Sequence, residues 1–131
     1  MIPPLVALLQ TGETTAQAQA DTASAIGNLA DLEFGVAIGK AGAIPPLVSL
    51  LSTDNAPEVH EEVAYALKQL CSENESNKRL TVDAGGIPAL VELLKANDGT
   101  TAEAKKFAAL TLRSLCKKKK NKRLTVEAGR R

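Results

Sequence analysis

Aromatic residues are almost missing from this chain. Phe34, Tyr65 and Phe107 are the only three, and Trp is absent. Any core must therefore be built from Leu, Val, Ile and Ala. A hydrophobic content of 44% over 131 residues supplies enough of them for a single domain spanning 1–131. Frequent Leu and Ala with few β-branched runs point to an all-α fold. No apolar stretch approaches the ~20 residues needed to span a bilayer, which argues against a membrane partner. The opening MIPPLVALLQTGETT lacks the basic flank of a signal peptide. Two cysteines give no disulfide framework, and an intracellular setting, cytoplasmic or nuclear, is expected.

Signs of catalysis are missing as well. His60 is the single histidine, with no Cys or carboxylate at metal-ligand spacing around it. It sits near the start of a helix and is expected to be exposed. No GxGxxG or Walker pattern occurs. No catalytic residue, cofactor or metal is therefore expected.

What is present is repetition. Ile2-Pro3-Pro4-Leu5-Val6, Ile44-Pro45-Pro46-Leu47-Val48 and Ile87-Pro88-Ala89-Leu90-Val91 begin three units, 42 and 43 residues apart. Each continues to a Leu pair: Leu8-Leu9, Leu50-Leu51 and Leu93-Leu94. Pro3, Pro45 and Pro88 suit the first turn of a helix. Gly42 and Gly85 precede two of these segments and suit the left-handed residue that ends the helix before. A longer helix follows in each unit, its start marked by Thr14 with Gln17, Asn55 with Glu58 and Thr100 with Glu103, the spacing of a capping box. A short third helix is predicted over 33–41, 75–84 and 121–128. The units run 1–43, 44–86 and 87–129.

Stepping at about 100° per residue divides each long helix into two faces. Ala18, Ile26, Leu29 and Ala30 match Val59, Leu67, Leu70 and Cys71, then Ala104, Leu112, Leu115 and Cys116. That face is expected to be buried, and the cysteines on it to be core residues. The opposite face carries Ala20, Ser24, Gly27, Asn28 and Asp31, then Glu61, Tyr65, Lys68, Gln69 and Ser72, then Lys106, Leu110, Arg113, Ser114 and Lys117. It is expected to look at solvent or a partner.

Helix, Gly turn, IPxLVxLL helix and long helix over about 42 residues resemble an armadillo repeat, along nearly the whole chain. The resemblance implies an all-α solenoid, a right-handed superhelix whose long helices line a concave groove. In its terms unit 1–43 lacks its first helix, and the last unit ends in the first helix of a further repeat. It also implies a binding mode. Peptide-binding members carry a Trp and, four residues later, an Asn on the long helix. Here the Trp position holds Ser24, Tyr65 and Leu110, and the Asn position Asn28, Gln69 and Ser114. Only Asn28 matches. Without Trp, pockets for the long stems of a nuclear-import signal are poorly made.

The expected partner is therefore a protein or extended peptide, laid across Ser24, Asn28, Glu61, Tyr65, Gln69, Lys106, Leu110, Arg113 and Ser114. Tyr is a frequent interface anchor, although single exposed apolar side chains such as Tyr65 and Leu110 also occur without function. Glu61 and Glu62 favour a basic ligand in the middle; Lys106, Arg113 and Lys117 favour an acidic one beyond it.

Net charge is −3 over 1–43, −4 over 44–86 and +8 over 87–131, summing to +1. KKKKNKR at 117–123 reads as an import signal, a phosphate binder or a solvated loop. Acids elsewhere and the lack of stacking aromatics argue against nucleic acid. Apolar residues at the two ends, Ile2 and Leu5 against Leu124 and Val126, have no covering repeat within this sequence. Either the chain is part of a longer array or its oppositely charged ends associate into a homo-oligomer.

Overall fold

The computed structural model describes residues 15–30, 34–51, 56–72, 74–95 and 101–116. They form seven helices: α1 (Ala16–Leu29), α2 (Gly35–Lys40), α3 (Ile44–Ser49), α4 (Pro57–Cys71), α5 (Glu75–Asp83), α6 (Gly86–Lys95) and α7 (Ala102–Leu115). The all-α expectation holds, and no strand occurs among the described residues.

The long helices begin one residue later than the capping pattern suggests. Thr15 Oγ1 accepts the Ala18 N–H at 3.1 Å, and Thr101 Oγ1 accepts the Ala104 N–H at 3.0 Å. These hydroxyls stand immediately before the first helical residue, where they reach an otherwise unsatisfied N–H. Ahead of α4 stands Ala56, with no side-chain cap, because Pro57 opens the helix instead. Its fixed φ suits a helix and its missing N–H needs no partner. Thr14, Asn55 and Thr100 lie outside the described residues. Gln17 donates to Asp21 Oδ1 at 2.9 Å instead of closing a box.

The Gly turns are as expected. Gly42 has φ +88° and Gly85 φ +85°, the left-handed region where a Cβ is costly. They link α2 to α3 and α5 to α6.

Long helices α1, α4 and α7 pack side by side, with the short helices behind them. Asp21 and Glu62 influence one another electrostatically, and further along Gly27 and Asn28 meet Tyr65. Glu61 meets Thr101, and a turn later Tyr65 meets Phe107. The contacts advance together, so all three helices run in the same direction. Ile26, Leu67 and Leu115 are buried, alongside Ile44, Leu47, Ile87 and Leu90 from α3 and α6.

Several expectations about burial fail, for a common reason. Ala20 and Gly27 are buried, not open, because α4 lies directly against that flank of α1. His60 is only 3% exposed. As the middle helix, α4 is covered by α1 on one side, α7 on the other and α2, α3 and α5 behind. Gln19 and Lys105, at the same register on the outer two, are half-buried. Ala18, Leu29, Ala30 and Cys116 are half-buried where full burial was expected, while Cys71 is fully enclosed.

Behind the long helices lies a polar clamp that hydrophobic patterning does not reveal. Asn77, 1% exposed, donates through Nδ2 to the carbonyls of Leu70 at 2.9 Å and Gly35 at 3.0 Å. One side chain thus joins the end of α4, the start of α5 and the start of α2. Gly39 makes room for it, since a Cβ there would collide with Asn77 Oδ1. Asn74 caps α5 by accepting the Asn77 N–H at 3.0 Å.

Candidate functional site

The residues expected to line a groove come from α1, α4 and α7. Ser24, Tyr65 and Leu110 are all half-buried, as are Gln69 and Ser114. Asn28, Lys106 and Arg113 are exposed. Asp31 and Lys117, from the same helical faces, lie outside the described residues. So do the end residues Ile2, Leu5, Leu124 and Val126, the run 117–123 and the short helix predicted over 121–128.

Tyr65 is more constrained than an open-face residue would be. Its ring lies over Gly27, where an added Cβ would come within 2.5 Å of Cε2. Its hydroxyl donates to Asn28 Oδ1 at 2.8 Å, crossing from α4 to α1. On the other side it meets Phe107, with ring centroids 5.5 Å apart at 58°, a tilted arrangement that aromatic quadrupoles favour. Only a glycine at 27 allows this placement, and any larger side chain would lift the ring. Glu61 is likewise engaged, accepting the Thr101 hydroxyl at 2.9 Å. One threonine thereby caps α7 and ties it to α4.

The face also changes chemistry along its length. Asp21, Glu62 and Phe107 share one register, a turn before Ser24, Tyr65 and Leu110. The first two make an acidic stretch. Burial raises the Glu62 pKa above its usual value, with the charges of Glu61 and Asp21 adding to the effect. At the third position an aromatic ring replaces the acid, and Lys68 Nζ sits 5.8 Å from its centroid, within cation–π range. Exposed Lys106 and Arg113 are on the same helix as Phe107. Asp21 and Phe107 went unrecognised as groove residues from sequence, yet aligning the long helices on their caps puts both in the row with Glu62.

Reactive groups are disposed otherwise. Burial pushes the Cys71 thiol up to about 11, partly offset by Thr81 and Lys78, which leaves a poor nucleophile. Among the described residues no group of three or more His, Cys, Asp or Glu could hold a metal ion. No helix among them is long and apolar enough to cross a membrane.

Known proteins share this architecture. The Armadillo/beta-catenin-like repeat model matches residues 36–72 and 74–117, each match taking in a short helix, an IP helix and a long helix. Importin subunit alpha-3 of Arabidopsis thaliana is 26% identical over 98 residues, 72% of this chain and 18% of that protein. U-box domain-containing protein 12 of the same plant is 39% identical over 94 residues, 72% of this chain and 14% of that one. The chain thus spans under a fifth of the length of these curated relatives. A designed armadillo repeat protein solved in complex with the peptide (KR)4 superimposes with a TM-score of 0.83 at 29% identity, covering 98% of this chain and 52% of its own. Helix order, the two left-handed glycines and the row of long helices all conform, and the chain belongs to the armadillo/beta-catenin-like repeat family.

Proposed function

We propose that this chain is a non-enzymatic protein-interaction module that holds an extended peptide, or an extended segment of a partner protein, across α1, α4 and α7. The observation that carries the reading is the row of polar side chains at one register on adjacent helices: Asn28, Gln69 and Ser114, beside Ser24, Tyr65 and Leu110. An extended chain has backbone N–H and C=O groups at regular intervals along one edge. Side-chain amides repeated along a row of helices can meet them in turn. The unit division 1–43, 44–86 and 87–129 enters the proposal because it sets this register. The designed armadillo protein solved with (KR)4 supports peptide as the ligand class.

Charge refines the ligand. Asp21, Glu61 and Glu62 favour basic side chains over α1 and α4, whereas Lys68, Lys106 and Arg113 favour an acidic or aromatic one near α7. A ligand of mixed charge, its basic half towards α1, fits better than a uniformly basic one.

Calorimetry with (KR)4 and with a peptide of equal length having a basic half and an acidic half tests this. The mixed peptide should bind more tightly. Asn28→Ala and Gln69→Ala should each weaken it about two- to tenfold, the worth of one hydrogen bond. Equal affinity for both peptides in the two variants and the parent protein, or no saturable binding, would refute the proposal.

A further inference from the structure

We infer that Tyr65 is a positioning residue for the groove: its hydroxyl holds the Asn28 side-chain amide in one orientation, so that this rung offers N–H donors and selects a ligand carbonyl. The inference rests on the groove reading above and deepens it.

An asparagine amide has two ends of similar shape and opposite hydrogen-bonding character. On an exposed helix face either end can turn outward, and a ligand must then fix one. Here the choice is made beforehand. The Tyr65 hydroxyl donates to Asn28 Oδ1 at 2.8 Å, so the oxygen faces α4 and Nδ2 is the end left to the ligand. Asn28 is exposed, which keeps those donors accessible. The tyrosine itself has little freedom to follow a moving amide. Gly27 lies beneath its ring, with Ala66 Cα only 3.2 Å from the place of a Gly27 Cβ, and Phe107 packs against the ring from the other side. Contacts from two helices, Gly27 of α1 and Phe107 of α7, thus hold the ring that carries the hydroxyl.

The next rung, Gln69, lacks this arrangement. At the Tyr65 position of the next unit stands Leu110, which has no hydroxyl for Gln69, and the residue equivalent to Gly27 is Lys68. Among the described residues the device therefore joins α1 to α4 and has no counterpart between α4 and α7. A ligand amide N–H presented at Asn28 would have to share Oδ1 with the Tyr65 hydroxyl through its second lone pair, whereas a carbonyl meets unengaged Nδ2 donors without rearrangement.

Tyr65→Phe removes the hydroxyl and keeps the ring. In uniformly 15N-labelled protein, without ligand, the substitution should shift the Asn28 side-chain Nδ2 resonances and bring their two proton shifts towards random-coil values. With the mixed-charge peptide as probe, Tyr65→Phe should weaken binding about two- to tenfold, the cost of ordering one side chain. The same change in an Asn28→Ala background should have no effect. Unmoved Asn28 resonances, or an equal loss in both backgrounds, would overturn the inference, because a merely structural tyrosine acts whether or not Asn28 is present. Should no peptide bind the parent protein, the groove reading fails, while the resonance measurement still decides whether Tyr65 orients Asn28.

Discussion

Replacing Asn77 by alanine should be among the most damaging single changes in the protein, although the residue carries no apolar surface. Its Nδ2 donates to two carbonyls, Leu70 at 2.9 Å and Gly35 at 3.0 Å, from a side chain that is 1% exposed. Loss of a bond whose carbonyl then meets water costs about 0.5–1.5 kcal/mol, whereas a carbonyl stranded away from water costs about 1–3 kcal/mol instead. Leu70 is itself buried, so its carbonyl is the one stranded. Against this, alanine favours the helix over asparagine by about 0.5 kcal/mol. The net loss is then about 1–4 kcal/mol, or roughly 3–20 °C in Tm for a domain of this size. Urea and thermal unfolding followed by circular dichroism at 222 nm would measure it. Asn77→Asp is the companion variant: it keeps the shape but replaces the donor with a buried negative charge facing two carbonyl oxygens, and should be at least as harmful. A loss under about 0.5 kcal/mol for Asn77→Ala, at unchanged urea dependence, would refute the clamp, since it would mean water satisfies those carbonyls equally well.

Two further outcomes are expected. Gly85→Ala, at φ +85° with nothing within 4 Å of a new Cβ, should cost about 1–2 kcal/mol from backbone strain alone; Gly85→Asn should cost less, and equal melting temperatures for both variants and the parent would refute a strain origin. Cys71 has its thiol raised from 9.0 to about 11 in the fold, so the unfolded chain releases this proton first as pH rises. Stability should therefore fall between about pH 9 and 11 by up to ~1.4 kcal/mol per pH unit. Chemical unfolding across that range would detect the fall, and Cys71→Ser should lack this share of it.

The two kinds of information part company at identifiable residues. The IPxLV segments, the paired leucines, Gly42 and Gly85 carry the repeat openly, because helix starts, left-handed turns and a 3.6-residue apolar stripe are local requirements. Long-helix positions such as Ile26, Leu67 and Leu112 could be equated by counting from caps, even with the caps placed one residue early. The same counting missed the burial of Ala20, Gly27 and His60. A helical wheel knows one apolar face, whereas α1 is also covered on a flank by α4, and α4 on both flanks by α1 and α7. Asn77 escaped for a different reason. A polar residue at the start of a short helix has nothing in its own neighbourhood to mark it as buried.

The groove divides in the same way. Asn28, Gln69 and Ser114 could be aligned from spacing alone, and the acidic-to-basic drift from Asp21 to Arg113 is written in residue order. That Tyr65 leans across Gly27 onto Asn28, with Phe107 behind it and Thr101 tied to Glu61, is a property of helices some forty residues apart in sequence. Repeats encode much of their own shape, since the caps at Thr15, Asn74 and Thr101 and the turns at Gly42 and Gly85 are local. Which side chain of one unit occupies the space left by another depends on how closely the long helices approach, and that distance is set only when they pack.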